Sequence, residues 1–194
     1  TIICDKKVRY AMKLKEISRI RTGAVLSRLN GSGKEVRAIT LKALDADGCL
    51  DCNSFETVVV DVKAKDDYFA QVGDVLIRLT APYRATVISE ENAGAVVSSH
   101  YGIIRCKESI NSWYLFWWLK QNRDLFYKEA SGSVLLGTIS SNVIAEIPIK
   151  VIPFDQQKKI AELIQTSRRE KELVIKLIEL RNKLVNSAVK TIVL

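Results

Sequence analysis

Hydrophobic and polar positions recur with two different periods along this chain, and the change of period divides it. Leu14, Ile17 and Ile20 lie three residues apart among Lys13, Lys15, Glu16, Arg19 and Arg21, which predicts a short amphipathic helix stopped by Thr22-Gly23. Gly23 then opens a polar loop. Asn30-Gly31-Ser32-Gly33 is a dense turn signal, after which 36–41 resumes a strand-like alternation. β-Branched residues over 57–62 predict another strand, followed by a charged connection over 63–67. Gly73-Asp74 turns into a strand over 75–79, and further strands are predicted over 85–88, 95–97 and 101–105.

From Ser112 to Tyr127 the period becomes helical, with Asn111 or Ser112 as the cap, and this helix is expected to pack on the sheet. The same spacing assigns Trp113, Trp117 and Trp118 to packing rather than to a base-stacking surface. A short apolar piece follows Ser131-Gly132-Ser133. The run from Ile147 to Pro153 then holds two prolines that force an extended backbone. That run predicts a boundary between a globular part, 1–153, and a helical part, 154–194.

Past Pro153, Asp155 is the expected cap of a helix that meets no Gly or Pro up to about Lys190, roughly 50 Å at 1.5 Å per residue. Leu173, Leu177, Leu180 and Leu184 follow spacings of four, three and four, the seam of a coiled coil. Val174, Ile178, Val185 and Ala188 widen the stripe, so more than one neighbour can share it. The alternative is packing back onto the globular part, for which only Ile160, Leu163 and Ile164 sit near enough.

Composition narrows the function classes. A hydrophobic fraction of 47% over 194 residues supports one proper core, and neither disorder nor an internal repeat is evident. The net charge of +8 is uneven: residues 1–50 carry eleven basic and five acidic side chains, whereas 51–100 carry four and eight. Basic excess suits a polyanion partner, with simple solubility as the plain alternative. Cys4, Cys49, Cys52 and Cys106 are few, no leader opens the sequence and no apolar run approaches a membrane span, so a reducing cytoplasm is expected. Thr1 rather than Met opens the chain, which allows a longer natural protein.

Catalytic patterns are incomplete. Gly31-Ser32-Gly33-Lys34-Glu35 lacks the leading glycine and the Ser/Thr of a phosphate-binding loop. Ala81-Pro82-Tyr83 lacks the polar residue that holds an amine in amino-methyltransferases. Cys49-Leu50-Asp51-Cys52 has half a zinc spacing but no second pair, and the single histidine, His100, leaves nucleophilic catalysis without an evident base. A nuclease built on Asp61, Asp66, Asp67 and Asp74 would need a divalent metal.

The segment from Ala145 to Ala161, Ala-Glu-Ile-Pro-Ile-Lys-Val-Ile-Pro-Phe-Asp-Gln-Gln-Lys-Lys-Ile-Ala, is similar to the one that closes a target-recognition domain in the specificity subunits of type I restriction-modification enzymes. Asp155-Gln156-Gln157 stands where that family enters its spacer helix, with Phe154 where a second proline or a leucine is common. Lys13 to Ile17 with Arg21-Thr22-Gly23, Gly73 to Ile77, and Ala130 to Ser133 resemble the family's opening helix and glycine, its Gly-Asp strand and its small-residue turn.

The resemblance implies an α+β fold: a β-rich target-recognition domain with packed helices, followed by one long coiled-coil-forming helix. It implies double-stranded DNA as partner, read through loops in the major groove, and no catalytic site or cofactor in this chain. Adenine methylation and cleavage would belong to a methyltransferase subunit and a restriction subunit. The chain would be a half-subunit that pairs, antiparallel, with an identical chain or a second half through Leu173, Leu177, Leu180 and Leu184. Arg21, Thr22, Ser27 and Arg28 in one loop, and Arg78, Tyr83 and Arg84 around the break between two strands, are the candidate DNA contacts. His100 joins them from the polar run Ser98-Ser99-His100-Tyr101, each with a solvated or packed side chain as the alternative. The competing class is a coiled-coil adaptor whose globular head binds a protein.

Overall fold

The structure, a computed structural model, describes residues 10–29, 33–61, 66–131 and 137–193. The turn at 30–32, the connection over 62–65, the small-residue turn at 132–133 with its apolar sequel, and Cys4 lie outside these residues. In chain order the elements are β1 (Tyr10–Lys13), α1 (Leu14–Ile17), β2 (Ser18–Thr22), β3 (Lys34–Ile39), β4 (Glu56–Val60), β5 (Val75–Arg78) and β6 (Ala85–Val87). Then come β7 (Val96–Val97), β8 (Tyr101–Cys106), α2 (Ser112–Gln121), α3 (Arg123–Ser131), α4 (Ser141–Glu146), β9 (Pro148–Val151) and α5 (Phe154–Val193). The fold is α+β: a β-rich head followed by one long helix.

A four-stranded sheet, β2-β8-β5-β6, is antiparallel throughout and forms the centre of the head. One face, through Val75, Ile77 and Ile104, packs on α2, α3 and α4 with Leu115, Leu119, Phe126 and Ile144. The other face, through Leu76, Tyr101 and Ile103, packs on Ile39, Ala43 and Val97. The strands are therefore buried on both faces and read as unbroken apolar runs rather than alternations. Each such Leu, Ile or Phe contributes about 1.5–3 kcal/mol by leaving water. A three-stranded sheet, β4-β3-β7, lies beyond the second face, with β3 and β7 parallel.

The first predicted helix is a single turn. Leu14 and Ile17 are buried as expected, but Ser18 to Thr22 is a strand paired with β8, from Ser18↔Cys106 to Thr22↔Gly102. Ile20 turns inward while Arg19 and Arg21 turn outward, a period of two that three apolar residues could not distinguish from a helix. The Ser18 hydroxyl donates to the Leu14 carbonyl at 2.6 Å and helps to close the turn. Lys13 and then Lys15 bind Glu146 of α4, and the two ammoniums hold its carboxyl at about 2.

The predicted helix over 112–127 is two helices, α2 and α3, broken at Asn122, whose carboxamide donates to the Trp118 carbonyl. Asn111 caps α2 by accepting the N–H groups of Trp113 and Tyr114 at 2.9 and 3.2 Å. Trp118 is buried, and Trp113 and Trp117 pack against the same core.

α5 begins at Phe154, so Asp155 is not the cap but a first-turn acid, where it still complements the positive end of the helix. Gln157, buried to 1%, ties this first turn to the head: its oxygen accepts the Asn111 N–H at 2.8 Å, and its amide donates to the Ile152 and Ser109 carbonyls at 2.8 and 3.2 Å. Ile160 and Ile164 pack on the head as expected, whereas Leu163 is exposed. From Lys171 to Thr191 every side chain is exposed, among them Leu173, Leu177, Leu180 and Leu184.

Candidate nucleic-acid interface

Polar loops meet at one end of the four-stranded sheet. The chain leaves β2 at Gly23, whose N–H donates to the Tyr101 carbonyl at 3.0 Å, and Ala24 and Ser99 extend the lacing through Val97 and Ala24 carbonyls at 2.8 and 2.7 Å. Gly23 is required there, because a Cβ would run into the backbone carbonyls of Val97 and Ser98. The lacing forms a groove of about 380 Å³ lined by Ala24 to Ser27, Thr40 to Lys42, Glu56 and Ser98 to His100. Side-chain hydroxyls and an exposed imidazole give it donors and acceptors of both kinds, the equipment for reading base edges or phosphates.

The sequence-derived candidates fall into separate groups. Ser27 and His100 line the groove together, and Arg28 follows Ser27 in the same exposed 3-10 turn. Thr22 ends β2 opposite Gly102, at the same end of the sheet. Arg78 lies directly across from Tyr101 on the adjacent strand, and its N–H donates to the Arg84 carbonyl at 2.8 Å. The Arg78 side chain donates to the Thr80 hydroxyl at 2.9 Å, which sets the direction of its guanidinium.

Tyr101 joins the arginines to the groove. Its hydroxyl donates to the Thr40 carbonyl at 3.2 Å, and burial pushes the phenol up to about 12 against the opposing influence of the nearby Arg78 and Arg84 charges.

Two candidates are placed differently. Arg21 is in β2 rather than in a loop, and it pairs with Asp67 at 2.9 Å beside Arg19, which reaches the same carboxylate at 3.2 Å. Its charge is thus engaged by Asp67, and it is not among the residues that line the groove. Tyr83 is a core residue, 1% exposed, with φ +46 and its ring edge-on to Tyr127 at 4.9 Å. Buried among the helices, it offers no surface to a ligand. Thr40, Lys42, Ser98 and Ser99 line the groove without having been singled out individually. The run Ser98-Ser99-His100 was visible as polar residues between strands, but Thr40 and Lys42 come from a distant segment and carried no local signal.

Several of the other titratable groups have structural partners. Asp74, 1% exposed, accepts a bidentate pair from Arg105, both bonds 2.8 Å, and Asp67 is shared by Arg19 and Arg21. Cys52 donates to the Asn92 carboxamide and Cys49 accepts from Arg168, so the two thiols face different partners. Among the described residues, no group of three or more His, Cys, Asp or Glu is placed to hold a metal, and no helix is long and apolar enough to cross a membrane.

A β-rich head that ends in a long helix is a fold this chain shares with solved chains from type I restriction-modification systems. A chain described in work on the complex assembly and conformational transition of a type I R-M system aligns with a TM-score of 0.63 at 16% identity, over 91% of this chain and 42% of its own. The HsdS subunit from Thermoanaerobacter tengcongensis aligns at 0.58 and 16%, over 91% and 41%. The type I restriction-modification S subunit from M. genitalium aligns at 0.55 and 16%, over 90% and 44%. This chain spans less than half the length of each. No family model and no curated protein sequence matches it.

Proposed function

We propose that this chain reads DNA sequence as one half of a type I specificity subunit: residues 1–153 form the target-recognition domain and 154–194 the spacer helix. The observation that carries the reading is the fold, shared over nine-tenths of this chain with under half of each of the three chains from type I R-M systems, two of them S subunits. The groove of Ser27, Thr40, Lys42, Ser98 and His100, flanked by Thr22, Arg28, Arg78 and Arg84, is the DNA-reading end. Lys and Arg contribute attraction to phosphates, and the hydroxyls and imidazole contribute discrimination between bases.

The exposed stripe on α5 supports pairing with a second such helix, from an identical chain or another half-subunit. Two heads related by a twofold would then read a bipartite site whose separation the helices set. The chain is non-catalytic and works in the cytoplasm. Adenine methylation and DNA cleavage fall to partner subunits.

The test is the affinity of the purified chain for duplex DNA across a range of salt, with and without an adenine methyltransferase subunit. Binding that weakens steeply with salt and strengthens with the partner is expected. Absence of binding in both conditions would favour the adaptor reading.

A further inference from the structure

Three turns beyond Gln157, α5 is gripped a second time. The Arg168 guanidinium lies 5.2 and 5.4 Å from the ring centroids of Trp113 and Phe116, and donates to the Gly48 carbonyl at 3.3 Å and the Cys49 sulfur at 3.1 Å. One turn further, Lys171 pairs with Asp47; this bond draws the Asp47 carboxyl below its usual range and raises the ammonium.

The loop they hold is itself built. Asp45 accepts the N–H groups of Asp47 and Cys49 at 2.9 and 2.7 Å. Gly48 sits at φ +84, where a Cβ would meet the Ala85 carbonyl, so the loop is pressed against β6. A planar cation between two rings with a carbonyl to donate to is a geometry that Arg meets and Lys does not.

We infer that the loop Asp45–Cys49 is a clamp that fixes the angle at which α5 leaves the head, and thereby the separation of the two DNA half-sites. The second clause rests on the DNA-reading function proposed above. A helix held only at its root can swing, whereas grips at Gln157 and Arg168, about 16 Å apart along the axis, define a direction. The lever beyond Lys171 is long: a tilt of about 10° over about 33 Å moves the far end by about 6 Å, more than the rise of about 3.4 Å between base pairs. A loosened clamp would therefore blur the spacing by more than one step.

The experiment places nitroxides on ketone amino acids at Lys128 in α3 and Lys183 in α5, which leaves the cysteines untouched. Labelled chain is diluted with unlabelled chain, and the intramolecular distance is measured by pulsed electron resonance. Wild type should give one narrow distribution. Arg168→Ala and Asp47→Lys should each widen it by about twofold, with the circular-dichroism spectrum retained, and Asp47→Lys combined with Lys171→Asp should restore it. Should Arg168→Ala fail to fold, the exposed Asp47–Lys171 pair decides the matter alone. Equal widths in all the folded chains would overturn the clamp.

Selection of bound duplexes by the same proteins reads the second clause. Wild type should accept one spacer length, and Asp47→Lys should accept neighbouring lengths as well. One unchanged spacer length despite a widened distribution would overturn that clause. No selected site with wild type would count against DNA reading, and against the clause that rests on it, while the distance widths still judge the clamp.

Discussion

The two halves of α5 share a secondary structure and differ in everything around them. From Phe154 to Arg168 the helix is fastened by Gln157, Ile160, Ile164 and Arg168 to the head, so its order is intramolecular and independent of concentration. Beyond Lys171, which still pairs with Asp47, its side chains face solvent, and an apolar stripe of four leucines gains nothing from folding alone. The contrast separates two sources of stability: core packing for the head and root and, under the pairing proposed above, mass action for the distal stretch.

The largest way to break that contrast is Leu177→Glu with Leu180→Glu. Loss of two seam leucines should weaken self-association by about 4 kcal/mol, about a thousandfold in Kd, and leave a folded monomer. Sedimentation velocity checks it, and an unchanged coefficient would remove α5 as the interface.

Next in size is Gln157→Ala at the root. It strands the Asn111 N–H and two carbonyls in the interior and should cost about 3 kcal/mol of head stability. Urea unfolding in the monomeric background isolates it, and the loss should not vary with protein concentration.

The head should also have its own alkaline signature. The Tyr101 phenol is raised from 10.0 to about 12 by burial, so the folded state keeps its proton longer than the unfolded state does. Its contribution is complete below pH 10 and is lost as pH rises through 12, about 3 kcal/mol in all. Tyr101→Phe should start lower, having lost the bond to Thr40, and should show a shallower decline between pH 9 and 11.5.

The smallest effects belong to the groove. Lys42→Ala and Arg28→Ala should each weaken DNA binding by about threefold to tenfold and lower the salt slope by about one, with no change in association.

How much of this was legible in the sequence follows from the range of each interaction. The strands predicted over 75–79, 85–88 and 101–105 and the long helix were visible because their signals are local. The first helix shrank to one turn because pairing with β8 decides the conformation of Ser18 to Thr22, and that partner is some eighty residues away. Ser27 and His100 were legible as polar loop residues, but their meeting in one groove with Thr40 and Lys42 depends on tertiary lacing. Tyr83 looked like a surface residue beside a turn, yet a positive φ rotates its ring into the core. Gln157 and Arg168 sat on a helix where polar residues are ordinarily solvated, and only the head packed against them gives them work.

Selection of bound duplexes from a random pool with the wild-type chain decides whether the groove reads sequence. Two short sequence blocks at a fixed separation should be enriched, related by a twofold if the partner is an identical chain. A folded, paired protein that enriches no sequence over the starting pool would rule out sequence reading by the groove.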